Sequence, residues 1–382
     1  MKHLLAVISA LILLAIAAAC RDDDVIILPE EIETYRPEYN DVSGFYLLNE
    51  GNMGDNKATL DYYNYRYGIY SLNIYPRVNP GEVKELGDVG NDLQIYGSKM
   101  YCVVNYSKLV KVLDKNTARK IGEIEIPNCR YIAFYKGYAY VTSYVGPVAL
   151  DGETVRQRGA VLKVDTTTLQ ILDTCYVGRQ PDGLAIVNGK IYVANSGGYD
   201  SGDYERTVSV VDVASFREEE RVDIAPNLHY VACDNRGILW ISSRGDYYGS
   251  VPSNLYAYDT RKRRVVATMN CPVSNMWLDG DSLYTISAEW SYLSETTMPA
   301  TYKIIDTRQM TVVNECFITD GTESAITVPY GLAVNPVTKD ILVTDAGTYT
   351  SPGRLYCYGR DGVLKWSVRT GDIPAHIAFI SQ

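Results

Sequence analysis

Short segments with apolar side chains at alternating positions recur along the chain, and this alternation is typical of β-strands. The commonest segment begins with Gly or Asp and places an aromatic residue between two apolar ones. Seven segments fit this slot: residues 45–48, 100–103, 137–141, 189–193, 237–241, 281–285 and 341–343. No stretch of the same region has a helical period. The pattern therefore predicts an all-β protein.

A second pattern places an apolar pair before an aspartate and a turn. Its aspartates are Asp114, Asp165, Asp212, Asp259 and Asp306, which follow one another at intervals of 47 to 51 residues. An aspartate in this position accepts hydrogen bonds from the backbone two or three residues later and so links two strands. A period of about 47 residues made of short strands indicates a β-propeller. Residues 43–380 have room for seven such units, each of four antiparallel strands.

The two ends of the repeat region complement each other. Residues 373–379 resemble the start of a unit, as in residues 180–185, whereas the first unit begins at Phe45 in the slot of a second strand. We therefore expect the C-terminal segment to supply the inner strand of the first blade and to close the ring. Closure would remove an open sheet edge, which otherwise promotes aggregation. The predicted fold is a seven-bladed propeller over residues 43–382.

The N-terminus has the features of a lipoprotein signal. An apolar run from Leu4 to Ala19 is followed by Cys20, and small residues before a cysteine fit a lipobox. We predict a signal peptide (1–19), a lipidated Cys20 and an acidic, proline-containing tether (20–42). The acidic run at 21–24 resembles an export signature for the outer face of the outer membrane. A plain secretory signal and a merely solvated linker are the alternatives for these two features.

Composition and charge narrow the choice of ligand. The chain has 33 Tyr against 5 Phe and a net charge of −10, without a basic block. An acidic chain is a poor candidate for nucleic acid, whose binding depends on neutralising phosphates. Tyrosine suits surfaces that combine ring packing with hydrogen bonding. We therefore expect a tyrosine-rich binding surface and no nucleic acid partner.

The turn after each aromatic strand differs between units, and all seven turns should emerge on one face of the ring. Loops that carry Gly and aromatic residues on a rigid ring are typical binding sites. The candidate ligand-binding residues in these turns are Asn52, Tyr106, Tyr144, Tyr199, Tyr247, Tyr248, Trp290, Tyr292 and Tyr349.

The loops that lead into the inner strands should reach the same face nearer the axis. They offer Arg130, Asp182, His229, Asn275, Tyr330 and His376, of which His229 and His376 are further candidates. The alternative is that loops need Gly, Asn and Asp in any protein and that Tyr flanks strands for packing.

Motifs of catalysis are missing from the sequence. No nucleophile elbow, phosphate-binding loop, HExxH or EF-hand loop occurs. Of the three histidines, His3 lies in the predicted signal peptide, and the other two, without a carboxylate pattern, make a poor metal site. The seven cysteines after Cys20 contain no CxxC pair, so we expect mostly buried hydrophobic side chains and at most one disulfide. We predict a protein that is not an enzyme and that carries no metal or cofactor.

Two segments carry a resemblance to a known family. Residues 140–143 (YVTS) and 192–195 (YVAN), each in a unit with a later Val-Asp, resemble the YVTN repeat of YncE-type seven-bladed propellers. With the lipobox, the acidic run and the opening at residues 47–62, the chain is similar to surface lipoproteins of the BtuG family. The resemblance implies capture of cobalamin, as bound ligand and not as cofactor. It also implies handover to a TonB-dependent outer-membrane transporter on which the propeller sits as a lid.

The residues themselves leave other functions open. Tyr hydroxyls, Asn side chains and backbone amides can hydrogen-bond the amide edge of a corrinoid, but they suit a sugar chain as well. The alternatives to cobalamin capture are a glycan-binding surface lipoprotein, a scaffold that contacts only protein, and a lactonase-like propeller enzyme. The resemblance assigns no ligand residue one by one.

Overall fold

The computed structural model describes residues 29–34, 41–83, 85–146, 157–200, 202–248, 250–288, 290–291, 296–297 and 299–381. The predicted signal peptide, Cys20 and the acidic run lie outside these residues, as does Tyr292. The described residues form seven antiparallel sheets in a ring, which confirms the predicted seven-bladed propeller.

The strands of each blade run from the axis outwards. Blade 1 consists of β31 (Pro374–Ser381), β2 (Val42–Asn49), β3 (Thr59–Asn64), β4 (Ile69–Ser71) and β1 (Glu31–Glu33). Blade 2 consists of β5 (Gly90–Tyr96), β6 (Lys99–Val104), β7 (Leu109–Asp114) and β8 (Lys120–Glu125). Blade 3 consists of β9 (Cys129–Tyr135), β10 (Tyr138–Ser143), β11 (Ala160–Asp165) and β12 (Ile171–Tyr176). Blade 4 consists of β13 (Pro181–Val187), β14 (Lys190–Asn195), β15 (Thr207–Asp212) and β16 (Arg217–Asp223).

The remaining blades follow the same plan. Blade 5 consists of β17 (Leu228–Cys233), β18 (Ile238–Ser243), β19 (Asn254–Asp259) and β20 (Arg264–Met269). Blade 6 consists of β21 (Asn275–Asp279), β22 (Ser282–Ser287), β25 (Thr301–Asp306) and β26 (Thr311–Asn314), with a separate hairpin of β23 (Trp290–Ser291) and β24 (Thr296–Thr297). Blade 7 consists of β27 (Pro329–Val334), β28 (Ile341–Asp345), β29 (Pro352–Tyr358) and β30 (Leu364–Asp372). The described helices are α1 (Ile74–Val78) and a 3-10 turn (Thr322–Ala325).

The ring closes in blade 1, as predicted. Strand β31 pairs antiparallel with β2, so the C-terminal strand is the inner strand of the blade that begins the chain. The Phe45 ring lies 5.9 Å from the Phe379 ring and 5.2 Å from the Tyr63 ring, and Phe45 is fully buried. Closure is therefore held by a buried aromatic cluster as well as by the hydrogen-bond ladder.

The recurring aspartates form the predicted turns between the third and fourth strands. Asp114 Oδ1 accepts hydrogen bonds from the amides of Asn116 and Thr117 at 3.0 and 2.9 Å. Asp165 Oδ1 accepts from Thr167 and Thr168 in the same way, both at 2.8 Å. The carboxylate thus accepts the hydrogen bonds that a backbone carbonyl would otherwise accept in a tight turn. Because the same turn is needed once in each such blade, the aspartate recurs with the blade period.

Part of the tyrosine excess belongs to the core and not to a wet surface. Tyr101 and Tyr140 on second strands are fully buried, and each faces an aromatic ring of the next blade. Their hydroxyls have no hydrogen-bond partner among the described residues. These rings fill the space between blades, so packing explains their presence and they are not evidence for a ligand-binding surface.

The segment predicted to be a tether contains a β-strand. Residues 31–33 form β1, which pairs with β4 as the outermost strand of blade 1. Glu31 and Glu30 form ion pairs with Arg77 and Arg369, each at 2.8 Å. Acidic side chains that alternate with one apolar residue can add to a sheet edge while keeping that edge soluble. The propeller therefore begins before residue 43.

The seven described cysteines are free thiols, and five of them are buried: Cys102, Cys129, Cys175, Cys271 and Cys357. The described residues contain no helix long and apolar enough to cross a membrane.

We expect Phe45→Ala to lower the free energy of unfolding by about 3–5 kcal/mol, because it leaves a cavity in the cluster that closes the ring. Denaturant unfolding followed by tryptophan fluorescence measures the change. Val313→Ala, at a side chain that is 56% exposed, is the control and should alter stability by less than about 0.5 kcal/mol. Equal effects of the two substitutions would contradict the role of the cluster in closure.

Candidate ligand-binding site at the mouth of the axial channel

The loop face is the face of the ring where the second strands end and the inner strands begin. Near this face, six of the seven inner strands have a register shift that gives them one residue more than their partner strand. Such β-bulges re-aim side chains and are common beside binding sites. The bulges contain Asn91, Arg130–Tyr131, Asp182–Gly183, His229–Tyr230, Tyr330–Gly331 and Ala375.

Hydroxyl side chains on the second strands hold several of these bulges. The Tyr131 amide donates to Thr142 Oγ1 at 3.0 Å, and the Tyr230 amide donates to Ser242 Oγ at 3.0 Å. At Gly183 a Cβ atom would lie 2.6 Å from the carbonyl oxygen of His229 on the next blade. Glycine is therefore needed there for neighbouring inner strands to approach each other.

A buried carboxylate joins two arginines at the mouth of the channel. Asp182 is fully buried, and its Oδ1 accepts from Arg130 Nε at 3.0 Å and from the Tyr144 hydroxyl at 2.8 Å. Its Oδ2 faces Arg244 Nη1 at 3.2 Å. Three blades thus meet at one charge, because these residues belong to blades 3, 4 and 5. A buried carboxylate requires such compensation, since an uncompensated charge costs several kcal/mol.

The opposite side of the mouth carries an acid. Glu50 follows β2 of blade 1, and its two oxygens face the Tyr330 hydroxyl at 2.8 Å and His376 Nε2 at 3.1 Å. Burial raises the pKa of Tyr330 well above its ordinary value, and the Glu50 charge raises it further. The tyrosine therefore stays protonated and donates. The mouth is polarised, with two guanidinium groups towards blades 3 to 5 and a carboxylate towards blade 1.

His229 is buried beside the arginines. Its Nε2 lies 2.8 Å from the Tyr131 hydroxyl, whereas its Nδ1 has no hydrogen-bond partner among the described residues. Burial lowers the pKa of His229 well below 6.5, and the positive charges of Arg244 and Arg130 lower it further. The imidazole is therefore neutral at physiological pH, when one of its nitrogens carries a proton and the other accepts.

Two cavities open on this face. The mouth cavity, of about 330 Å³, is lined by the Glu50, Arg130, His229 and Arg244 side chains and by tyrosines that include Tyr330. The loop cavity, of about 680 Å³, lies between the loops of blades 1 to 4. The cavities share Val89 and Arg130 in their walls. A narrower cavity of about 180 Å³ continues down the channel past His376.

The structure brings most of the predicted candidates to these cavities. Asn52, Tyr106 and Tyr199 line the loop cavity, Tyr247, Tyr349 and His229 line the mouth cavity, and His376 lines the channel below. Tyr144 is buried, donates a hydrogen bond to Asp182 and packs its ring against the Arg130 guanidinium. Tyr248 is half exposed and lines none of the three cavities. The backbone of Trp290 lies in β23, and its side chain is not among those described.

Other residues of the mouth were not among the selected candidates. Arg130, Asp182 and Tyr330 occupy the same bulge position in their blades as His229 does in blade 5. Alignment of the repeat units with His229 would therefore have identified them as candidates. Glu50 and Arg244 directly follow second strands, and only the curvature of the ring turns them inwards. Among the described residues, no group of three or more His, Cys, Asp or Glu side chains is placed to hold a metal ion.

We expect Asp182→Asn to lower the free energy of unfolding by about 3 kcal/mol, because it leaves two largely buried guanidinium groups without their shared counter-charge. Denaturant unfolding measures the effect. Asp223→Asn removes a carboxylate from the exposed pair with Arg206 and is the matched control, with an expected loss below about 1 kcal/mol. A loss as small in Asp182→Asn would show that the arginines do not need the carboxylate.

The neutral state of His229 makes stability depend on pH. The unfolded chain takes up a proton near pH 6.5, whereas the folded chain resists protonation at this residue. Its contribution is therefore complete above pH 6.5 and is lost as the pH falls, with a slope approaching about 1.4 kcal/mol per unit. We expect His229→Gln to remove this slope between pH 6.5 and 5. A wild-type-minus-variant difference in unfolding free energy that stays constant over that range would refute the assignment.

Solved structures share the architecture. Hydrazine synthase of Kuenenia stuttgartiensis aligns with a TM-score of 0.58 and 16% identity, over 76% of this chain and 89% of that chain. A quinoprotein alcohol dehydrogenase-like protein of Bacteroides thetaiotaomicron aligns with a TM-score of 0.59 and 15% identity, over 90% and 79%. The WD40 domain of Neurospora crassa Pan2 gives 0.52 and 8%, over 77% and 80%. At these identities the likeness is one of fold.

Among curated proteins, no sequence matches this chain. A family profile matches residues 43–357, which contain blades 2 to 6 complete and most of blades 1 and 7. The chain therefore belongs to the family described as "Domain of unknown function (DUF5074)".

Proposed function

We propose that this propeller is a surface lipoprotein that captures cobalamin on its loop face, without turnover, and passes it to a TonB-dependent outer-membrane transporter. The observation that carries the proposal is the pair of adjoining cavities that share Arg130. Their volumes of about 330 and 680 Å³ lie within the range of small-molecule sites, and a ligand that spans both would be large.

The chemistry of the walls matches that of a corrinoid. Cobalamin has a flat apolar face, an edge of amides and a nucleotide loop with one phosphodiester. In the loop cavity, Tyr106 and Tyr199 offer half-exposed rings, while Asn52, Asn105 and Asn128 line the same wall with amide groups. Rings can cover the apolar face while amides pair with the edge. A rigid ring of sheets loses little entropy on binding, which favours tight capture.

Anchoring and partner follow from the sequence features. A lipid on Cys20 would hold the propeller at the membrane, and the acidic run resembles the signature for the outer surface. A transporter in the same membrane would then receive the ligand. This part of the proposal depends on the resemblance to the BtuG family.

An oligosaccharide is the second candidate ligand. Tyr106 and Tyr199 are both about half exposed beside the loop cavity, and exposed tyrosine rings suit the apolar faces of sugars. A glycan would use this cavity without needing the mouth of the channel.

We expect the full-length protein in detergent to bind cyanocobalamin saturably, with one site per chain, in isothermal titration calorimetry. Tyr106→Ala should weaken binding about 5- to 30-fold, because truncating a contacting aromatic costs on the order of 1–2 kcal/mol. Tyr67→Ala is the matched control, since Tyr67 is 57% exposed and Tyr106 is 51% exposed, but Tyr67 lies in the β3–β4 turn away from the loop face.

The cyanocobalamin titration tests the identity of the ligand, and the tyrosine variants test which surface binds it. Absence of heat and of retention with cyanocobalamin would refute the proposed ligand, and a glycan array would then test the second candidate. Binding that Tyr106→Ala leaves unaltered would place the ligand elsewhere on the ring.

A further inference from the structure

We propose that Arg130 and Arg244 form an oxyanion site at the mouth of the axial channel, which takes a phosphodiester or carboxylate group of the captured ligand. The inference rests on the proposed function, because it adds a chemical requirement to a ligand bound on the loop face. It is carried by the guanidinium groups themselves and by what surrounds them.

The two arginines have donors to spare. Arg130 uses Nε for Asp182, and Arg244 uses Nη1 for the same carboxylate. The remaining nitrogens, Nη1 and Nη2 of Arg130 and Nε and Nη2 of Arg244, make no hydrogen bond to any described residue. Both side chains line the mouth cavity, with exposed fractions of 15% and 25%. Guanidinium groups held by one face and open on the other are suited to bidentate binding of an oxyanion.

The cluster of Arg130, Arg244 and Asp182 has one positive charge more than its negative charge. Two guanidinium groups share the single carboxylate of Asp182, which is completely buried beneath them. The nearest acid on the cavity wall, Glu50, belongs to the opposite side of the ring and engages Tyr330 and His376. An anion placed against the arginines would therefore meet a positive field in a largely desolvated site, where electrostatic attraction is stronger than in water.

The arginines are also held in place before any ligand arrives. The Arg130 guanidinium lies 5.0 Å from the centre of the Tyr144 ring and 5.9 Å from that of Tyr131, so its plane is restrained by aromatic neighbours. Tyr131 is in turn hydrogen-bonded to His229. A preformed cation pair avoids the entropy of ordering long side chains, which otherwise weakens anion binding.

His229 supports one of the aromatic neighbours of Arg130. His229 is 6% exposed, lines the mouth cavity and leaves Nδ1 without a hydrogen bond to any described residue. A buried polar atom left unsatisfied costs free energy, and such atoms in native proteins usually have a role. The neutral imidazole adds no positive charge to the site, and its Nε2 holds the hydroxyl of Tyr131, one of the rings beside Arg130.

The two sources of the oxyanion can be told apart. A corrinoid brings a phosphodiester in its nucleotide loop, whereas an acidic glycan brings the carboxylate of a uronic acid. We titrate the full-length protein in detergent with cyanocobalamin, with dicyanocobinamide, which lacks the nucleotide loop, and with digalacturonate. For a phosphodiester, wild-type protein should bind cyanocobalamin about 10- to 100-fold more tightly than dicyanocobinamide, as expected for charged hydrogen bonds.

The variants test the arginines directly. Arg130→Gln should reduce affinity for cyanocobalamin about 10-fold, because Arg244 remains, and leave affinity for dicyanocobinamide unchanged. Arg244→Gln is the second variant, in case the first does not fold, and thermal unfolding verifies both. Arg308→Gln is the control, because it removes the same charge from a side chain that is 67% exposed and pairs with Asp281. Arg308 lies in the turn between the outer strands β25 and β26, on the face of the ring opposite the loop face. Equal losses for both corrinoids, or no loss for either, would overturn the proposal.

Failure of the oxyanion site and failure of cobalamin capture give different results. If wild-type protein binds neither corrinoid, cobalamin capture is refuted, and digalacturonate and inorganic phosphate become the probes. Binding of either anion that is lost in Arg130→Gln and kept in Arg308→Gln would support the oxyanion site with a different ligand. No anion-dependent difference between wild type and Arg130→Gln would overturn the site as well.

Discussion

Every blade depends on the closure of the ring, because each twisted sheet has two faces that only its neighbours can cover. The closing pair of β2 and β31 joins residues from the two ends of the chain, as in the hydrogen bond between Ser43 and Ile380, which are 337 positions apart. Bringing such distant segments together costs loop-closure entropy, and the contacts that offset this cost form only after the segments have met. Contacts among the buried rings of Phe45 and Tyr63 and the partly buried ring of Phe379 offset this cost at the junction.

The binding face inherits its geometry from that closed ring. Neighbouring inner strands approach so closely that glycine is needed at position 183, and the bulges turn the preceding side chains towards the axis. Asp182 can therefore meet arginines from both adjacent blades. The result is a mouth with a fixed cation pair on one side and a hydrogen-bonded carboxylate, Glu50, on the other.

Local chemistry made the fold predictable from sequence. Asp114 and its equivalents form their turns with amides two or three residues away, so the same signal recurs in five of the seven blades. The site was only partly predictable, because its contacts join residues of different blades. Arg130 and Arg244 reach Asp182 across 52 and 62 positions, and no local pattern distinguishes Arg244 from an ordinary loop residue. Tyr144 likewise has the sequence context of a surface loop but is buried against that carboxylate.

The bulges have a consequence for evolution. A bulged residue lies outside the regular pairing of its strand, so its replacement disturbs neither the register nor the alternation of core side chains. Arg130, His229 and Tyr330 occupy such positions on three different blades. Point substitutions at these few places can therefore change which molecules a propeller of this design binds without disturbing the pairing that holds its blades together.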